Sequence, residues 1–228
     1  MKTIGLIGGM SWESTVTYYQ VINETVKQHL GGLHSAKIII HSIDFAPLAQ
    51  KQEEDDWDSC AQMMVQAAQS LERAGADLIV IGANTMHKCV KQVEESCSLP
   101  VLHIADATLS VMKQDGIAKT ALLGTKYTMC QDFYKQRIEQ GGVEVIIPEK
   151  EIDTVNSIIY DELCAGIFKE ASKQRLLEII TELKEQGAQG VILGCTELGL
   201  LVRQEDTDLP VFDTALIHAE QAALESLR

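Results

Sequence analysis

Several kinds of segment are missing from this sequence of 228 residues. It contains no run of about 18 apolar residues, the length a helix needs to cross a bilayer. The opening "MKTIGLIGGM" runs straight into a strand pattern, without the apolar core and cleavage site of a signal peptide, so the expected location is the cytoplasm. Basic clusters are also absent. Nineteen Lys and Arg stand against 33 Asp and Glu, a formal charge of −14, which excludes an electrostatic surface for nucleic acid or anionic lipid. The six cysteines, Cys60, Cys89, Cys97, Cys130, Cys164 and Cys195, form no CxxC pair and no zinc-type spacing with histidine. Free thiols in a reducing compartment and no bound metal are therefore expected. The glycine-rich "GLIGGMSWEST" lacks both the GxGxxG spacing and the Lys-Ser/Thr of a phosphate-binding loop. Gly8 and Gly9 instead suit a close approach of ligand to backbone.

What is present is a regular alternation. Short Val/Ile/Leu runs alternate with longer segments of helical period, the pattern of an α/β fold whose mostly parallel sheet is covered on both faces. Strands are predicted over 3–7, 37–42, 78–81, 101–103, 119–123, 143–147, 190–193 and 211–212. Helices are predicted over 15–30, 57–73, 129–139, 155–168 and 172–186, with a further helix at the end of the chain and Gly31 and Gly32 closing the first.

The chain also resembles itself. "TIGLIGGM" is similar to "KTALLGTKYTM", "RAGADLIVIGANT" to "EQGAQGVILGCTE", and "SLPVLHIADA" to "DLPVFDTALI", in the same order and at nearly constant offset. Two similar lobes follow, expected over 1–100 plus 211–228 and over 101–210. A pseudo-twofold would relate them, with a site in the cleft between. Ligands of open α/β sheets bind beyond the carboxyl ends of strands. The segments there are 8–10, 83–85, 124–128 and 195–197.

Cys195 ends the strand of "GVILGCTELG", and its counterpart in "DLIVIGANTMHK" is Ala83. Read as the start of a strand-to-helix turn, "CTELGLL" would place the thiol where a helix N-terminus lowers its pKa, making a thiolate plausible near neutral pH. Read alone, the same cysteine is also compatible with a small buried apolar residue. Asn84, Thr85, Thr125, Thr128 and Thr196 offer amide and hydroxyl donors suited to a carboxylate, although turn and cap chemistry would use the same residue types. His87 and Glu197 are candidate supporting neighbours, and His218 lies in the final helix.

Together "GGMSWEST", "NTMHK", "LLGTKYTM", "GCTELGLL" and "LPVFDTALIHA" resemble the aspartate/glutamate racemase superfamily almost end to end, closest to its bacterial L-aspartate/glutamate-specific subgroup. The resemblance implies proton transfer at the α-carbon of a small amino-acid substrate, without pyridoxal phosphate or any other cofactor, by a homodimeric enzyme. It implies that Cys195 is the thiolate base acting on the L-enantiomer and that Met10, Gln52, Asn84, Thr85 and Thr196 lie in segments that contact substrate. Ala83 departs from the pattern, because many relatives carry a second cysteine there and alanine cannot carry a proton. A single-thiol decarboxylase of malonate-type acids and a non-catalytic amino-acid-binding homologue are the alternative expectations.

Overall fold

Eight short strands and their intervening helices define the architecture of the computed structural model, which describes residues 1–228. The chain divides into two units, Met1–Ile104 with His218–Arg228, and Ala105–Ile217. In the first unit, β1 (Ile4–Gly8), β2 (Ile38–Ser42), β3 (Leu78–Ile81) and β4 (Val101–Leu102) form a parallel sheet in the order β2-β1-β3-β4. Ile4 lies opposite both Ile38 and Leu78, which fixes the register of the central pair. The helices of this unit are α1 (Trp12–Leu30), α2 (Phe45–Glu53), α3 (Trp57–Arg73) and α4 (Val90–Ser96). Along α3, Cys60, Ala61, Met64, Ala67, Ala68 and Leu71 are buried, the stripe that a period of 3.6 places on one face.

Crossing from one unit to the other begins in α5 (Ile104–Gln114). The second unit repeats the topology: β5 (Lys119–Gly124), β6 (Glu144–Ile146), β7 (Val191–Gly194) and β8 (Val211–Asp213) pair in parallel in the order β6-β5-β7-β8. Its helices are α6 (Lys126–Cys130), α7 (Asp132–Gln140), α8 (Ile152–Ser157), α9 (Glu170–Glu185) and α10 (Leu198–Leu201), and α11 (Thr214–Ser226) carries the chain back. Within α9, Leu176, Ile179, Ile180 and Leu183 make the buried stripe. In both sheets the two central strands, β1 and β3 or β5 and β7, are wholly or almost wholly buried. This explains their uninterrupted apolar sequences.

All eight predicted strands occur, with no end shifted by more than one residue. Three expectations need correction. The unit boundaries fall at 104/105 and 217/218 rather than 100/101 and 210/211, because β4 pairs with β3 in the first sheet and β8 with β7 in the second. The helix expected over 129–139 is two helices, interrupted at Gln131, whose φ of −104° and ψ of 152° are extended. The helix expected over 155–168 widens after Ser157 into a π turn, Ile158–Glu162, and then tightens to a 3₁₀ turn, Leu163–Ala165. It stops at Gly166, which takes the left-handed conformation that commonly ends helices. Helices α2, α4 and α5 have no counterpart among the predicted elements. No helix is long and apolar enough to cross a membrane.

Candidate functional site

In each sheet the chain passes from its first strand to one side and then returns to the other. The switch in direction therefore falls between β1 and β3, and between β5 and β7. The carboxyl ends of strands beside such a switch are where open α/β sheets hold ligands. Every catalytic and strand-end candidate from the sequence follows one of these four central strands.

At the end of β7, Cys195 is buried, with 7% of its surface exposed, and its thiol donates to Glu197 Oε2 at 2.9 Å. Thr196 Oγ1 lies 3.0 Å from both carboxylate oxygens of Glu197. Two neighbouring side chains thus converge on one buried carboxylate. Burial pushes the Cys195 thiol well above its ordinary pKa, and the Glu197 charge and the nearby Cys164 push in the same direction. The expected lowering by a helix N-terminus is therefore reversed. The reason is local: α10 is only four residues long, too short to build an appreciable dipole, while the carboxylate is in direct contact. The thiol is protonated at rest.

At the end of β5, Thr125 caps α6, its Oγ1 accepting the Thr128 amide at 3.3 Å and lying 3.2 Å from Thr128 Oγ1. These two threonines perform the cap chemistry that their residue type favours, and both are buried.

Two further groups here carry no clear mark in the sequence. Tyr160, in the π turn, has its phenol pKa raised by burial and then by Cys195, Cys164, Tyr127 and Glu197, which share its surroundings. Asp213, at the end of β8, accepts the Ala215 and Leu216 amides at 2.9 and 3.1 Å. Burial nonetheless pushes its carboxyl up to about 6, with Glu197 adding to the effect. Its carboxylate lies against Gly199, where a side chain would collide with it. The aspartate in "VFDT" is the only sequence signal for this group. Nothing in the sequence marks Tyr160, since a π turn carries no recognisable period.

In the first unit, Gly9 has φ +89°, and a Cβ there would run into the backbone of Ile43. Its amide donates to Thr15 Oγ1 at 2.8 Å, and the Met10–Ser11 peptide that follows is cis. Met10 and Ala83 are both buried in the apolar cluster of this unit, together with Met86. Asn84 and Thr85 are buried beyond β3. Gln52, on α2, is brought to the same segment, with Nε2 3.0 Å from Met86 Sδ. His87 bonds through Nδ1 to the Ala83 carbonyl at 2.8 Å, a contact to the backbone at the end of β3.

The sequence profile of the Asp/Glu/hydantoin racemase family matches residues 7–222. A broad-specificity amino-acid racemase, RacX, from Bacillus subtilis is 24% identical over 219 residues, spanning 93% of this chain and 92% of its own. A crystal structure from Yersinia pestis, provisionally described as an Asp/Glu racemase, is 53% identical over the whole of both chains with a TM-score of 0.92. An aspartate racemase homologue from Pyrococcus horikoshii is 38% identical, again over the whole of both chains, with a TM-score of 0.86. With two four-stranded parallel sheets of matching order and relatives similar from end to end, the chain belongs to the Asp/Glu/hydantoin racemase family and is an isomerase.

Proposed function

We propose that this amino-acid racemase acts on aspartate or glutamate and that Cys195 moves the α-proton with Glu197 as its proton partner. One observation carries the reading: a buried thiol at the end of a central strand donates to a buried carboxylate at 2.9 Å. Glu197 takes the Sγ proton, and the thiolate so formed takes the α-hydrogen of the substrate, leaving its electron pair delocalised into the substrate carboxyl group. The reverse sequence returns a proton to carbon. In either protonation arrangement the Cys195/Glu197 pair carries one negative charge. The transfer therefore avoids placing two anions in a desolvated site. The high thiol pKa also makes the transient thiolate a strong base.

Thr125, Thr128 and Thr196 are proposed donors to a substrate carboxylate, as are Asn84 and Thr85. Met10 and Gln52 are proposed substrate contacts on the strength of the family resemblance. At Ala83 no side chain can donate a proton. General acid or base assistance is worth about 10²- to 10⁴-fold, so exchange on the Cys195 side should outrun inversion. Incubation with L-aspartate and L-glutamate in D₂O tests this directly: α-deuterium should enter the L-acid faster than the D-enantiomer appears. Absence of exchange with either acid, from folded protein, would overturn the proposal. Carbon dioxide release from a substituted malonate would then move the assignment to single-thiol decarboxylation, the chemistry that one proton-carrying face permits.

A further inference from the structure

Three buried histidines surround the end of β4, and the function described above uses none of them as an acid or base. His87 comes from the 3₁₀ turn after β3, His103 from the residue after β4, and His218 from α11. The ring centroid of His87 lies 4.5 Å from that of His103 and 5.8 Å from that of His218. Backbone partners decide where the protons are. The Ile104 amide can only donate, and it points at His87 Nε2 at 3.2 Å, so that nitrogen is bare and Nδ1 carries the hydrogen given to the Ala83 carbonyl. The Leu102 carbonyl can only accept, and it lies 2.8 Å from His218 Nε2, so His218 is protonated there. His218 Nδ1 then accepts the Tyr18 hydroxyl at 2.8 Å. Both rings are neutral and each is held in one tautomer.

We propose that His87 is a positioning residue for the substrate-contacting segment 83–85, acting as a neutral clamp between the Ala83 carbonyl and the Ile104 amide. The inference rests on the functional reading above. Strand β4 pairs through only two residues, Val101 and Leu102. So short a ladder fixes its end weakly, and side chains complete the anchoring. His218 holds the Leu102 carbonyl and His87 the Ile104 amide, on either side of His103. The other end of His87 then sets the peptide that leads into Asn84 and Thr85. A histidinium at this position would meet the Ile104 N–H with a second N–H and open the clamp. The geometry therefore assigns His87 a fixed hydrogen-bonding role rather than proton transfer.

Two replacements separate this role from simple packing. His87→Asn keeps an amide donor close to the place of Nδ1, whereas His87→Gln places its amide near Nε2 and gives up the bond to Ala83. Both remove the ring, so a packing role would affect them alike. The expected result is a KM for the acidic amino acid raised about tenfold in the glutamine variant, the size of one hydrogen bond, with kcat changed less and KM restored towards wild type in the asparagine variant. Long-range ¹H–¹⁵N spectra of the wild-type protein should place hydrogen on Nδ1 of His87 and Nε2 of His218. A His87 ring protonated on Nε2, or equal KM values in the two variants, would overturn the clamp. If the wild type shows no turnover, the functional reading fails by itself. L-Aspartate affinity by calorimetry then replaces KM, and equal affinities in the two variants refute the clamp.

Discussion

His218 makes the stability of the first unit sensitive to acid, and the size of the effect follows from its surroundings. Burial holds its pKa down to about 3, with the neighbouring His87 pushing in the same direction. An unfolded chain would protonate the same ring near 6.5. Between these values the unfolded state binds the extra proton, so stability is fully present above about 6.5 and is lost as pH falls towards 3. The whole window is worth on the order of 5 kcal/mol, of which about 2 kcal/mol is lost between pH 7 and pH 5. Both tryptophans, Trp12 and Trp57, lie in this unit, so their fluorescence reports its unfolding. Urea unfolding at pH 7, 6 and 5 should be compared with that of His218→Gln. The variant starts about 1 to 3 kcal/mol less stable at pH 7, because the bond between the Tyr18 hydroxyl and His218 Nδ1 is lost. Its deficit should shrink by about 2 kcal/mol at pH 5, since the shared carboxylates and surface histidines cancel in the difference. A deficit that stays constant across the three pH values would refute the reasoning.

Glu197→Gln should separate thiol acidity from catalysis. Without the carboxylate beside it the thiol moves down in pKa, so the pH midpoint of iodoacetamide alkylation at Cys195 should fall even as α-proton exchange slows by about 10²- to 10⁴-fold. An alkylation midpoint that rises would show that Glu197 does not push the thiol up. Ala83→Cys supplies a proton carrier at the first sheet's strand end, and inversion should rise relative to exchange by about 10²- to 10⁴-fold. Chiral chromatography against deuterium content by mass spectrometry reads that ratio, and an unchanged ratio would count against position 83 facing the reaction.

The strands are legible because buried parallel strands must be apolar on both faces, and runs such as "LIVI" and "GVIL" are short, rich in β-branched residues and followed by glycine, as such strands are. The repeat is legible for the same reason, since both halves solve one packing problem. Helix α2 is hidden because Pro47 falls within it; there it occupies the first turn, where an amide has no partner inside the helix, and Asp44 caps the start. The break at Gln131 and the π turn before Leu163 leave no periodic trace. Cys195 is recognisable from its place after a strand and its neighbours. Its protonation is not, because a short helix promises a lowered pKa, while burial first and then the carboxylate two residues on raise it, and only the fold reveals either.

The matching strand orders carry an evolutionary consequence. Each half completes its own four-stranded sheet, so neither depends on the other for backbone pairing. On the proposed assignment, a change at one strand end, such as position 83, would alter one sheet's contribution and leave the other sheet and Cys195 as they are. Two sheets that each complete their own pairing let natural selection vary one strand end without first having to rebuild a foldable protein.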